Sequence, residues 1–183
     1  REEAYQKKII DLVKDEKIYL LFGSPALAEE QNKKGYRLFN SAYLLSPEGE
    51  IVSRYDKVHL VPFGEYVPLS SLLFFVEKMV EVIGDFDSVE DYTVMSTPKV
   101  KLGVAICFEV IFPELVRRFV NNGAELMVTI TNDAWFGISS APYQHFSMAV
   151  FRAVENRVPV ARAANTGISG FIDPFGRVIG NGG

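Results

Sequence analysis

The chain holds one cysteine, two histidines and a lysine set at the end of an apolar stretch, and these residue types decide what chemistry is open to it. Cys107 excludes an internal disulfide and a multi-cysteine zinc site, so it serves packing or chemistry. It follows the apolar run Gly103-Val104-Ala105-Ile106, and a turn after it leads to a helix beyond Pro113. That order puts the sulfur at the carboxyl edge of a sheet, close to a helix start, where backbone N–H groups can hold an oxyanion and positive surroundings favour the thiolate. A lone cysteine is also a small core hydrophobe.

A cysteine nucleophile needs help, and two routes are open: a cysteine–histidine pair, or activation by carboxylate and lysine. His59 and His145 are the histidines, and no spacing ties either to Cys107. Lys57 lies in Arg54-Tyr55-Asp56-Lys57-Val58-His59-Leu60, at the end of a strand pattern and before a loop shaped by Pro62, Gly64 and Pro68. The lysine route fits that setting better, although lysines are ordinarily surface residues.

The elements that must position these groups read as follows. Glu3 to Lys14 has helical apolar spacing, and Lys17 to Phe22 reads as a strand closed by Gly23-Ser24-Pro25. Tyr36 to Leu45 and Glu50 to Tyr55 form an antiparallel pair around the turn Ser46-Pro47-Glu48-Gly49. An amphipathic segment spans Ser70 to Ile83, and Gly84 to Asp91 is acidic and loop-like. The second half alternates strand Lys101–Ile106, helix Phe112–Asn121, strand Leu126–Thr131, helix Pro142–Asn156 and strand Val158–Ala164. Two short strands, Ile168–Ile172 and Arg177–Ile179, then flank the turn Asp173-Pro174-Phe175-Gly176. This is a β-α-β-α-β rhythm, and 183 residues with 48% hydrophobic content suit one α/β domain of mixed sheet with helices outside. With 19 Lys+Arg against 23 Asp+Glu, the chain has no basic excess for nucleic acid. No apolar run reaches the ~20 residues of a membrane-spanning helix. The chain opens Arg1-Glu2-Glu3 and stops at Asn181-Gly182-Gly183, so the expectation is a single domain over 1–183, truncated at both ends.

Two stretches carry a resemblance: Tyr55-Asp56-Lys57-Val58-His59-Leu60-Val61-Pro62-Phe63-Gly64-Glu65-Tyr66-Val67-Pro68 and Gly103-Val104-Ala105-Ile106-Cys107-Phe108-Glu109. Together they resemble the nitrilase superfamily of carbon-nitrogen hydrolases. Phe63 to Pro68 and Asn132-Asp133-Ala134-Trp135-Phe136-Gly137 are similar to its apolipoprotein N-acyltransferase branch, and Pro142 to His145, Arg152 to Asn156 and Arg162 to Gly167 fit too. The resemblance implies a four-layer α-β-β-α sandwich and a Glu-Lys-Cys triad with Cys107 as nucleophile and Lys57 as lysine. The general-base glutamate of the triad is expected upstream of Arg1. Glu65 matches a second functional glutamate, the alternative being a loop salt bridge. Glu109 matches the acid two residues after the nucleophile, the alternative being a buried anchor. Phe108 is expected to offer a backbone N–H to the oxyanion. Independently of family, a buried carboxylate can shuttle one proton through both halves of an acyl transfer, while an ammonium stabilises thiolate and oxyanion.

The resemblance further implies that Cys107 takes an acyl chain from a membrane phospholipid and passes it to the α-amino group of a diacylglyceryl-cysteine on an apolipoprotein. That chemistry requires no metal, nucleotide or organic cofactor. Its place would be the outer side of the bacterial cytoplasmic membrane. Leu69, Leu72, Leu73, Phe74, Phe75 and Val76 are the candidate lid dipping into the membrane surface, with an ordinary helix core as the alternative. Trp135 and Phe136 line the acyl pocket or pack beneath the site. His145, Arg152, Glu155 and Arg162 read as an internal polar network. A hydrolase acting on a small amide or nitrile, and a module that only binds lipid or lipoprotein, are the competing readings.

Overall fold

The computed structural model describes residues 2–29, 35–62, 64–66 and 86–182. The amphipathic segment expected over 70–83, with Leu72 and Phe75, and the Phe63, Val67 and Pro68 positions of the motif lie outside them.

Helix α1 (Glu2–Glu16) leads into a three-stranded antiparallel sheet of β1 (Leu20–Glu29), β2 (Tyr36–Leu45) and β3 (Ile51–Asp56), in that order. Between β2 and β3 the expected turn forms: Gly49 adopts φ +79° and donates its N–H to the Ser46 carbonyl at 2.9 Å. β1 does not stop at Gly23-Ser24-Pro25 as expected. It continues to Glu29, pairing Gly23 with Ala42, Ser24 with Ser41 and Pro25 with Asn40. β1 pairs only with β2 among the described residues, so the side of Pro25 that lacks an N–H breaks no ladder there. The two sheets come close at Gly23, where a Cβ would lie 3.1 Å from Ile130 Cδ1 in the facing sheet.

That second sheet has the order β4 (Met95–Ser96), β5 (Lys101–Ile106), β6 (Leu126–Thr131), β7 (Val160–Ala164), β8 (Ser169–Ile172) and β9 (Val178–Gly182). β5, β6 and β7 are parallel, joined by α2 (Pro113–Asn121) and α3 (Ala141–Asn156), as the sequence rhythm requires. β4, β8 and β9 extend the sheet antiparallel on either side. β4, two residues long, has no periodicity to announce it. The architecture is a mixed α/β sandwich, its two sheets facing one another and α2 and α3 packed on the larger one. None of the described helices is long and apolar enough to cross a membrane.

The core joins Ala42, Leu44 and Tyr55 of the small sheet to Val104, Ala105, Met127, Val160 and Ile172 of the large one, with Val116, Phe119, Ala149 and Ala153 from the helices. Gly103 sits where β5 passes beneath α2, and a Cβ there would lie 2.6 Å from Met127 Sδ and 2.8 Å from Phe119 Cβ. Gly103→Ala is expected to destabilise the fold by about 1–3 kcal/mol through overpacking, seen as a lower urea midpoint. An unchanged midpoint would mean that the β5–α2 contact has slack.

Candidate active site

β5 ends at Ile106, and the chain turns at Cys107 into a short 3-10 helix, Cys107–Ile111. Cys107 has φ +53°, the left-handed region that a residue with a Cβ occupies only when its surroundings hold it there. It is half-buried and lines a cavity of about 630 Å³ between the sheets. Leu21, Phe22, Gly23 and Asn40 form one wall, and Ile130, Ala163 and Trp135 belong to the other. The cavity is mostly apolar, and it is roomy because the residues crossing it at Gly23, Ala163 and Ala164 are small.

Lys57 follows the last residue of β3 and is 1% exposed. Its Nζ donates to both Glu65 oxygens, at 2.9 and 2.8 Å. Glu65 also accepts Asn40 Nδ2 at 2.7 Å and the Val61 N–H at 2.7 Å. The Lys57 N–H in turn donates to the Asn40 carbonyl at 2.8 Å, so Asn40 ties the ion pair to the cavity that Cys107 lines from the facing sheet. A buried ammonium held by one carboxylate is a fixed positive charge, able to stabilise an anion that forms nearby without prior reorganisation.

Glu109 is fully buried. One oxygen accepts Tyr55 Oη at 2.8 Å and the N–H groups of Val58 and His59 at 2.8 and 3.0 Å, and the other accepts the Ile106 N–H at 2.8 Å. One carboxylate thus binds the backbone just after Lys57 to the backbone just before Cys107. Burial pushes its carboxyl above the usual range, opposed by these hydrogen bonds and by the Lys57 charge. Burial, with Glu109 alongside, pushes the Tyr55 phenol far above its usual range.

Beneath the cysteine lies a second polar cluster. Asp133, His145 and Arg162 are all buried. His145 Nδ1 lies 2.9 Å from Asp133 Oδ1, and Arg162 Nη2 donates to Asp133 Oδ2 at 2.7 Å. Thr131 Oγ1 donates to Asp133 Oδ1 at 2.9 Å, and His145 Nε2 lies 3.1 Å from the Cys107 carbonyl. Burial pulls the Arg162 guanidinium below its usual range, while Asp133 and then Cys107 act the other way. Arg152, seven residues along α3 from His145 and so on the same helix face, donates to the Ile111 carbonyl at 2.8 Å and to Glu155 at 2.8 Å. Among the described residues no group of three or more His, Cys, Asp or Glu side chains is arranged to hold a metal ion.

The sequence pattern of the carbon-nitrogen hydrolases matches residues 2–183. The chain belongs to that family. Among carbon-nitrogen hydrolase relatives, the apolipoprotein N-acyltransferase of Geobacter metallireducens is 53% identical over 179 residues, 98% of this chain and 34% of that protein. The apolipoprotein N-acyltransferase of Agrobacterium fabrum is 42% identical over 163 residues, 87% of this chain and 31% of that protein. The chain therefore spans about a third of the length of these curated relatives. Among solved carbon-nitrogen hydrolase structures, an amidase from Nesterenkonia sp. AN1, carrying the acetamide moiety of fluoroacetamide on its active-site cysteine, superimposes with TM-score 0.69 at 26% identity, covering 99% of this chain and 63% of that one. Saccharomyces cerevisiae Nit3 shares the fold with TM-score 0.71 at 23% identity, covering 97% and 60%.

Of the residues expected from sequence, this carbon-nitrogen hydrolase site brings Lys57 and Glu65 into direct contact and brackets them to Cys107 through Glu109. Trp135 lines the cavity and is well exposed. Phe136 is not among the lining residues, and its ring stands edge-on to His145 at 5.7 Å. The Phe108 ring packs on Phe112 at 5.3 Å, which leaves its backbone as the part relevant to the site. Asn40 and Asp133 escaped assignment. Asn40 sits within a strand with no motif around it, whereas Asp133 stands in the quoted Asn132 to Gly137 stretch and could have been paired with His145 and Arg162 by charge.

Proposed function

We propose that this chain is the carbon-nitrogen hydrolase-type domain of an apolipoprotein N-acyltransferase, with Cys107 as the nucleophile. The observation that carries the reading is a cysteine held in the left-handed region beside an apolar cavity, with a buried Lys57–Glu65 pair bracketed to it. Identity of 53% to an acyltransferase, against 26% to an amidase, favours acyl transfer over hydrolysis.

In the first half-reaction the Cys107 sulfur attacks an acyl ester carbonyl of a phospholipid. The C–O bond to the glycerol breaks, and the lysophospholipid leaves with a proton. In the second, the α-amino group of a diacylglyceryl-cysteine attacks the thioester, the C–S bond breaks, an amide forms, and the amine proton is taken up by a base. Lys57 stabilises thiolate and oxyanion, with the Phe108 N–H as a second donor. Glu65 and Glu109 each already accept several donors, so they act by holding Lys57 and the cysteine turn. Proton transfer belongs to the general-base glutamate that the family resemblance implies. Trp135 provides an amphipathic rim for the acyl chain, Phe136 backs His145, and the stretch bearing Leu72 and Phe75 approaches the lipid. The reaction takes place at the bacterial cytoplasmic membrane, on its outer side.

The test uses the whole protein that carries this chain, incubated with phospholipid labelled in its acyl chain and analysed by intact mass. Label on Cys107, absent from Cys107→Ala and chased by a diacylglyceryl peptide amine, is expected. No label from phospholipid, with turnover of small amides by the same cysteine, would make the protein an amidase.

A further inference from the structure

We propose that His145 is a positioning residue that aims the Phe108 N–H at the oxyanion by gripping the Cys107 carbonyl. The inference rests on Cys107 being the nucleophile. A carbonyl oxygen can only accept, so the 3.1 Å contact from His145 Nε2 places the ring proton on that nitrogen. The Cys107 C=O and the Phe108 N–H belong to one planar trans peptide and point in opposite directions. Whatever fixes that carbonyl toward α3 therefore fixes the N–H toward the opposite side.

The grip is built to resist displacement. Asp133 Oδ1 and Arg162 Nη2 lie 2.9 and 3.1 Å from His145 Nδ1, which donates to the first when protonated and accepts from the second when not, and Arg162 is anchored to Asp133 in its turn. The backbone at Gly167 presses on this carboxylate so closely that a Cβ there would lie 2.5 Å from Asp133 Oδ2. Arg152 holds the far end of the same 3-10 turn at the Ile111 carbonyl. Helix α3 therefore clamps both ends of the turn that begins with the left-handed Cys107, a conformation that would relax without a hold.

The whole protein is assayed in two ways: alkylation of Cys107 by iodoacetamide, which needs the sulfur but no oxyanion donor, and acylation by an activated aryl ester, which needs both. The aryl ester keeps the outcome independent of phospholipid being the natural donor. His145→Leu is expected to slow acylation by about 100-fold, the usual consequence of a lost oxyanion donor, with alkylation within about threefold of wild type. His145→Gln, whose amide can donate to the Cys107 carbonyl, is expected to recover acylation to within about tenfold. Asp133→Asn, whose single acceptor oxygen cannot serve both Thr131 and Arg162 and so loosens the support around the imidazole, covers the case in which His145→Leu does not fold, and should lose acylation selectively. Equal losses in both assays, acylation unaffected in His145→Leu, or no recovery in His145→Gln would overturn the proposal. Wild type that is alkylated but not acylated by the aryl ester would overturn the nucleophile reading itself.

Discussion

Lys57→Met should reduce acyl transfer by at least about 10³-fold and also lower stability, because the one side chain supplies a fixed charge and neutralises Glu65. The pair is buried unequally, with Lys57 1% and Glu65 14% exposed at the side chain. Breaking a buried pair by removing one partner costs about 3–5 kcal/mol, and the partial exposure of Glu65 puts the expectation at the lower end. Adding Glu65→Gln removes the stranded carboxylate, so the double variant should regain most of that stability and none of the activity. Urea midpoints and thioester formation measured on the same samples separate the two effects. Lys57→Arg should also fail, since a larger planar fork does not fit the fully enclosed place of a compact ammonium. Acylation at wild-type rate in Lys57→Met would remove this lysine from the mechanism.

The second large effect is expected at Glu109, a residue that faces no substrate. Glutamine preserves its shape but not its capacity. If the amide oxygen takes the place that serves Tyr55, Val58 and His59, the NH₂ group opposes the Ile106 N–H; if it flips, three donors lose their acceptor. Each buried donor left without a partner costs about 1–3 kcal/mol, so Glu109→Gln should lower stability by at least that amount. Activity should fall further than stability explains, because the two backbone segments joined by the carboxylate carry Lys57 and Cys107. The check is acylation at a temperature where the variant remains fully folded. A folded variant with unchanged acylation would reduce Glu109 to a stabilising residue.

How much of this was legible beforehand varied with the kind of signal. The β-α-β-α-β half was readable because Val104, Ala105, Met127 and Val160 are buried in continuous apolar runs, and the intervening helices carry their own spacing. Cys107 and Lys57 stood out as candidates because unusual residue types lay in motif-bearing stretches. The extension of β1 through Pro25 was hidden, since proline ordinarily ends a strand, and here β2 is the one neighbour of β1 among the described residues. Asn40 was hidden because its role depends on two sheets meeting, which no local pattern records. The hold of His145 on a backbone carbonyl was hidden for a related reason: a backbone atom looks the same at every position in a sequence. Phe136 was open to two readings, pocket lining or packing beneath the site, and the short 3-10 turn at Asp133–Phe136 stands its ring edge-on to the imidazole.

The bracket made by Glu109 also has a consequence in time. Its partners on the two sides lie about fifty positions apart along the chain, at Val58 and His59 against residue 109 itself. Closing so long a loop is among the slower and later events available to a folding chain, and local helices and hairpins form well before it. Until it closes, the thiol has no ammonium brought to its turn and no hydrogen bonds gathering the turn's backbone. On the proposed mechanism, a newly made or partly unfolded chain therefore carries a cysteine without its neighbouring ammonium, and the acyl reactivity proposed for Cys107 awaits this long-range contact.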